Sequence, residues 1–186
     1  MNLVLTNQKW MLLIVGFILG VILLYSYYHY ITKGGVPIKT LWGGAAKVKP
    51  LYMASLILAA ISFVIVWVYA IFKTPNTSRN GAIISNLMAI QVVILAISMI
   101  WLPMTILYVK EGSNKQLTMF AVLLTLFIVA LAAFKQISLV SSLTPENNEC
   151  AKTMKKIAKL GAGYFFIHVF FFDFIGWDIG FFGKLK

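Results

Sequence analysis

Four polar side chains within apolar stretches of this chain are the candidates for chemistry: Gln91, His168, Asp173 and Asp178. Such groups are costly in an apolar medium, and they mark either an ion or proton path or a structural hydrogen-bond network. His168, Asp173 and Asp178 share one aromatic segment, and on an α-helix at about 100° per residue they point in three different directions. They therefore form neither a one-sided proton relay nor a metal site by themselves. We expect hydrogen bonds that fix the aromatic segment against its neighbours, with a proton or cation site as the alternative.

No sequence motif for catalysis accompanies these residues. The chain has 2 histidines and 5 acidic residues. It lacks a His-x-x-x-His pair, a Gly-x-Ser-x-Gly turn, an Asp-x-x-Asp pair and a phosphate-binding glycine loop. Because Cys150 is the single cysteine, an internal disulfide and an all-cysteine metal site are excluded. We expect no enzymatic activity, no cofactor and no bound metal.

Membrane-spanning helices are the elements that must position the candidate residues. The chain has 186 residues, of which 61% are hydrophobic and 11% charged, and its mean hydropathy is +0.90. A soluble domain of this length cannot bury so much apolar surface, so the composition indicates a multi-pass membrane protein. The net charge of +11 resides mainly in basic residues between apolar runs. This distribution is typical of loops at anionic lipid headgroups, and a nucleic-acid partner is not expected.

Four apolar runs are long enough to cross a bilayer, at about 10–30, 52–72, 86–108 and 117–134, and the aromatic segment 161–182 follows them. The prediction is an all-α helical bundle forming one integral membrane domain, residues 1–186. We favour four spans with an interfacial or re-entrant C-terminal segment, and five spans are the alternative. Five spans divide the basic residues equally between the two sides. With four, Lys184 and Lys186 join the side of the N-terminus, and the positive-inside rule places both termini in the cytosol.

The third run, 86–108, has a polar face. Gln91, Ser98 and Thr105 recur every seven residues and fall close to one side of a helix, and Pro103 is expected to bend that helix. Because polar side chains need partners in hydrocarbon, this side should face other helices. We interpret it as a packing seam in which Ser98 and Thr105 take part, with a substrate or ion path along the stripe as the alternative.

Two further patterns concern partners. Gly16 and Gly20 form a small-xxx-small pair that permits close helix approach and could support an oligomer. The other pattern is a basic patch, whose members lie on one helical face at i, i+3, i+4 and i+7: Lys152, Lys155, Lys156 and Lys159. We expect the basic patch to belong to a short amphipathic helix on anionic lipid, with recruitment of another protein as the alternative.

Two short stretches carry a resemblance to a known group of proteins. The stretch 98–105, Ser-Met-Ile-Trp-Leu-Pro-Met-Thr, and the stretch from His168 through Asp173 to Trp177 resemble multi-span membrane proteins of large DNA viruses of algae and protists, and of their hosts. The resemblance implies a viral or host membrane, including the internal lipid layer of a virion. It implies no activity and no role for any residue.

The functional hypothesis from sequence is a structural or interaction protein of a membrane, possessing small-residue packing seams and basic loops that contact anionic lipid. Its expected partners are the bilayer, other membrane proteins or a second copy of the chain. The alternative is a small ion or proton channel or transporter, with a path involving Gln91, His168 and Asp173. A structural protein should have a dry, well-filled bundle, whereas a channel needs a continuous wet cavity or an oligomer.

Overall fold

The architecture is that of an all-α bundle, seen in a computed structural model that describes residues 6–41, 48–110 and 115–179. The helices are α1 (Asn7–Lys33), α2 (Ile38–Leu41), α3 (Lys49–Phe72), α4 (Ser78–Lys110), α5 (Lys115–Ser142) and α6 (Glu149–Ile167). A π-helical stretch, His168–Ile179, continues α6 and is called the π segment below. These bounds confirm the prediction of an all-α, multi-pass membrane fold.

Five helices of the described ranges are long and apolar enough to cross a membrane. They are α1, α3, α4, α5 and the continuous rod Glu149–Gly176, which joins α6 to the π segment. The four-helix bundle favoured by the sequence is therefore not confirmed, because the rod that contains the aromatic segment is long and apolar enough to be a fifth span. The basic patch occupies the first half of α6, so it belongs to this rod and not to a separate short helix.

Local sequence features explain several helix ends. Pro50 lies in the first turn of α3, where its missing N–H breaks no helical hydrogen bond. Asn148 caps α6, since its side-chain oxygen accepts a hydrogen bond from the backbone N–H of Ala151 at 2.8 Å. Gly35, just after α1, has a φ of 67°, a left-handed conformation that favours glycine. Helix α4 continues through Pro103 to Lys110.

The five long helices form a ring in the order α1, α4, α5, α6 and α3. Each of the first four packs against the next in this order, and the interface between α1 and α3, which closes the ring, is the smallest of the five. At the end near the N-terminus the ring is filled by apolar side chains, among them Leu12, Tyr69, Leu87 and Val140. Toward the other end the weak α1–α3 contact leaves room inside the ring.

A polar clasp made by Asn80 and its partners ties together the connections at the filled end. The Asn80 side chain is 1% exposed, donates hydrogen bonds to the carbonyls of Pro75 and Thr144 at 3.1 Å each, and accepts one from the Thr144 backbone N–H at 3.0 Å. Nearby, the Lys9 ammonium donates a hydrogen bond to the Thr74 carbonyl at 2.5 Å. The start of α1, the α3–α4 connection and the α5–α6 connection are thereby fixed to one another.

Candidate functional site

The space inside the ring is a cavity of about 650 Å³, called the central cavity below. All five long helices contribute to its wall, which is predominantly apolar. Along α3 the wall runs from Tyr52 to Trp67, which is about 22 Å at 1.5 Å per residue. Because α1 and α3 make the smallest interface of the ring, the central cavity opens between these two helices.

A cluster of five polar side chains, called the polar cluster below, lies at the Tyr52 end of the central cavity: Tyr52, Ser55, Tyr164, His168 and Asp173. Nδ1 of His168 lies 2.8 Å from Oγ of Ser55, which lies 2.9 Å from the Tyr164 hydroxyl. The Tyr52 hydroxyl donates a hydrogen bond to Oδ1 of Asp173. Tyr52, His168 and Asp173 form part of the cavity wall. The polar cluster is thus built by α3 together with α6 and the π segment.

His168 and Asp173 come together because the helix changes type. In an α-helix, residues five apart differ by about 140° in direction. In a π-helix the turn is wider and its hydrogen bonds run from i to i+5, so residues five apart are much closer in direction than in an α-helix. Nε2 of His168 lies 3.6 Å from Oδ1 of Asp173. The expectation that these two groups point in different directions is therefore wrong. The side chain of Asp178 lies outside the described part of the chain.

One nitrogen of the polar cluster has no hydrogen-bond partner in the described part of the chain. His168 is 2% exposed, and among the described residues its Nε2 has no hydrogen bond. The separation of 3.6 Å from Asp173 exceeds the length of a hydrogen bond. A buried, unpaired polar atom on a cavity wall is a group that a ligand can satisfy.

Ser55, His168 and Asp173 are the residue types of a hydrolase triad, but their arrangement differs from one. In the triad the imidazole uses Nε2 toward the serine and Nδ1 toward the carboxylate, and here the two nitrogens are exchanged. Ser55 is 3% exposed, and the described lining of the central cavity does not include it. Ser55 therefore orients the imidazole, and it is not placed to attack a molecule in the cavity.

Gln91 stands apart from the polar cluster. Its side-chain oxygen accepts a hydrogen bond from Nε1 of Trp67 at 2.5 Å, and its Nε2 has no hydrogen-bond partner in the described ranges. Gln91 borders a gap next to Gly16 that is too small to hold water, and the described wall of the central cavity does not include Gln91. The structure therefore brings His168 and Asp173 together without Gln91.

The four residues singled out for helix packing have different surroundings. Gly16 of α1 contacts the ring of Trp67, so it permits close approach of α3. A Cβ on Gly20 would meet no described atom within 4 Å, because Gly20 faces the central cavity. Ser98 also lines this cavity. Thr105 is buried, and its hydroxyl donates to the carbonyl one turn earlier in α4 at 2.9 Å.

The basic patch has two kinds of member. Lys155 donates a hydrogen bond to a backbone carbonyl of the α5–α6 connection at 2.7 Å, so it holds α6 in place. Lys152 pairs with Glu149 at 2.8 Å and is exposed, and Lys156 and Lys159 are exposed as well. Binding of anionic lipid or of a partner by these exposed lysines stays a prediction.

Sequence reasoning missed three members of the polar cluster. In the sequence Tyr52 begins an apolar run, Ser55 is a small residue within that run, and Tyr164 is one aromatic residue among many. Their partners on α3 or on the C-terminal rod are more than a hundred residues away in sequence, with separations of 121, 113 and 109. A hydroxyl in an apolar run signals that some partner exists, but it does not identify that partner.

The described residues contain no group of three or more potential metal ligands that could hold an ion. Comparison with known proteins finds no matching family model, no matching characterised protein and no matching solved structure. The resemblance to viral membrane proteins therefore stays a prediction, and the geometry of the central cavity carries the functional argument.

Proposed function

We propose that this multi-pass membrane protein binds an amphiphilic molecule from the surrounding bilayer in its central cavity. The observation that carries the proposal is an apolar cavity of about 650 Å³ with one polar cluster at its end. Small-molecule sites have volumes of about 300–1,000 Å³ and combine apolar walls with a few converging polar groups. In this proposal the apolar walls hold the body of the ligand and the polar cluster holds its head.

The direction of the central cavity supports a lipid-like occupant. Tyr52 lies three residues into α3, about 4.5 Å from the end of that helix. Trp67, at the opposite end of the cavity wall, lies about 22 Å deeper. A ligand with its head at the polar cluster and its tail toward Trp67 would be oriented like a lipid, with its head near the membrane surface and its tail toward the membrane interior. The wall of about 22 Å is longer than half of a hydrocarbon core about 30 Å thick, so it can hold a long acyl chain.

The opening between α1 and α3 supports entry from the side. Large apolar residues of the cavity wall remain exposed there, with Phe17 at 66% and Leu24 at 71% on α1, and Val64 at 53% on α3. An apolar opening at this depth would contact acyl chains and not water. A molecule dissolved in the bilayer could therefore enter the central cavity without crossing an aqueous phase.

The central cavity also bears on the structural role expected from sequence. A purely structural bundle is expected to be filled, because voids forfeit contacts and destabilise a core. The ring is filled near its N-terminal end and open near the polar cluster, which favours a binding role for the open half. A scaffolding or interaction role for the exposed lysines of the basic patch is compatible with ligand binding and stays a prediction.

Gly20→Phe should block binding, because Gly20 lines the central cavity and its Cβ position is open. The test uses photoreactive, clickable hexadecanol and palmitic acid with the purified protein in lipid nanodiscs. We expect the summed labelling by the two probes to fall on residues of the cavity wall. Gly20→Phe should reduce this sum by about tenfold or more, which corresponds to about 1.4 kcal/mol of binding free energy.

The matched control is Gly163→Phe, because Gly163 also has no described atom within 4 Å of its Cβ position and does not line the central cavity. Labelling of Gly163→Phe should equal that of the wild type. Labelling spread evenly around the outside of the bundle, or unchanged in Gly20→Phe, would contradict the proposed function.

A second candidate function is transport of protons or cations, and the proximity of His168 and Asp173 in the central cavity favours it. The path expected from sequence also required Gln91, which is not part of the described wall of the central cavity. In this alternative, Asp173→Asn should abolish conductance in liposomes while the protein remains folded. Equal ion and proton flux in liposomes with wild-type protein and in protein-free liposomes would eliminate transport.

A further inference from the structure

We propose that the polar cluster selects a neutral hydroxyl head, so that the ligand of the central cavity is a membrane alcohol. This inference rests on the proposed function and specifies its ligand. It starts from the gap of 3.6 Å between Nε2 of His168 and Oδ1 of Asp173. The gap is too wide for a direct hydrogen bond, and both residues belong to the cavity wall.

An oxygen atom placed beside the gap would lie about 2.8 Å from both the imidazole nitrogen and the carboxyl oxygen, the usual length of a hydrogen bond. Because Nε2 is buried, the neighbouring side chains must shift slightly to admit this atom from the cavity. The bond of about the same length from Nδ1 to Ser55 holds the ring of His168, so Nε2 cannot turn away without breaking that bond. The carboxyl group accepts from Tyr52 and has further lone pairs for a second donor.

A hydroxyl can form hydrogen bonds to both His168 and Asp173, whichever of the two carries the hydrogen. If Nε2 carries the hydrogen, the hydroxyl accepts from His168 and donates to the carboxylate of Asp173. If Asp173 carries the hydrogen, the hydroxyl accepts from the acid and donates to Nε2. The buried Nε2, which has no hydrogen bond within the described ranges, gains a partner in both cases.

Other common lipid heads fit less well. A carboxylate or phosphate head has acceptors only, so it can accept from whichever of the two groups carries the hydrogen but has no hydrogen to donate to the other, and an ionised Asp173 repels its negative charge. A quaternary ammonium head has no N–H to donate and leaves Nε2 of His168 unpaired. The alcohol is therefore the class that satisfies both groups without adding a charge.

The experiment compares photoreactive hexadecanol with photoreactive palmitic acid on the full-length protein, at equal concentrations in neutral lipid nanodiscs. In the wild type we expect labelling of the cavity wall by the alcohol to exceed labelling by the acid about tenfold. His168→Asn should reduce alcohol labelling about tenfold, because an asparagine amide can replace Nδ1 toward Ser55 but supplies no atom in place of Nε2. His29→Asn, the same change at an exposed position of α1, should have no effect.

Asp173→Asn removes the negative charge at nearly constant shape. It should raise acid labelling and bring the alcohol-to-acid ratio close to one. The wild-type ratio needs no variant, so the inference stays testable even if a substitution impairs folding. Equal labelling by the two wild-type probes, or preference for the acid, would overturn the hydroxyl assignment while leaving cavity binding intact. If neither probe labels the cavity wall, the proposed function itself fails.

Discussion

Gly161→Leu is expected to destabilise the bundle by about 3 kcal/mol, the upper end of the usual cost of overpacking. Gly161 is buried where α6 crosses α3, and a Cβ there would lie 3.2 Å from the carbonyl oxygen and 3.5 Å from the Cα of Ser62. These are backbone atoms of a packed helix, so they cannot move aside as a side chain can. A leucine would push α6 away from α3, and the polar cluster spans the interface of the same two elements.

Gly163→Leu is the matched control for this prediction. Gly163 lies on the same helix, and a Cβ there meets no described atom within 4 Å. Both substitutions gain similar helix propensity, so their difference isolates the contact with Ser62. After heating in detergent, the fraction of protein in the monodisperse peak should decline at a lower temperature for Gly161→Leu than for Gly163→Leu. Equal midpoints for the two variants would show that the close α3–α6 approach does not contribute to stability.

Asn80→Ala is the second substitution with a large expected effect. It removes three hydrogen bonds from a side chain that is 1% exposed, and it leaves the N–H and C=O of Thr144 without this partner. With about 1 kcal/mol for each bond, and more where a buried group remains unpaired, the loss is about 3 kcal/mol. This loss of stability arises within the polar clasp, which lies at the filled end of the bundle, outside the described wall of the central cavity.

The control for Asn80→Ala is Asn86→Ala, an identical change at an exposed position of α4 that should alter stability by less than about 0.5 kcal/mol. Limited proteolysis should cleave the α3–α4 and α5–α6 connections faster in Asn80→Ala than in Asn86→Ala. Unchanged proteolysis and an unchanged thermal midpoint would show that the clasp does not hold these connections together.

The helical part of the fold was predictable because hydrophobic length is a strong signal in a membrane protein. Each of the four predicted spans lies within one helix, but the helices extend beyond the apolar runs. Helix α4 begins at Ser78 and includes Arg79 and Asn80, and α6 includes the basic patch. Polar residues can continue a helix once its backbone hydrogen bonds are established, so hydropathy locates the spans without fixing their ends.

The polar cluster was only partly predictable. His168 and Asp173 were recognised because ionisable residues in an apolar run are rare. Their proximity was missed because it depends on π-helical geometry, which aromatic and glycine-rich composition does not indicate. The roles of Tyr52 and Ser55 depend on how α3 packs against the C-terminal rod, which periodicity within one helix does not determine.

The central cavity was not predictable, since it arises from the order of five helices around a ring. The small-xxx-small pair of α1 illustrates why. Gly16 does pack against Trp67, as a packing motif should, but Gly20, one turn later, faces open space because α1 has by then separated from α3. The same motif thus contains one glycine in close contact with α3 and one that faces the central cavity.

Native mass spectrometry of the protein released from its membrane tests ligand binding most directly. The wild type should carry an additional mass matching a lipid alcohol, Gly163→Phe should carry the same mass, and Gly20→Phe should carry none. A wild-type protein with no bound lipid, or a bound lipid retained equally by Gly20→Phe, would contradict binding in the central cavity.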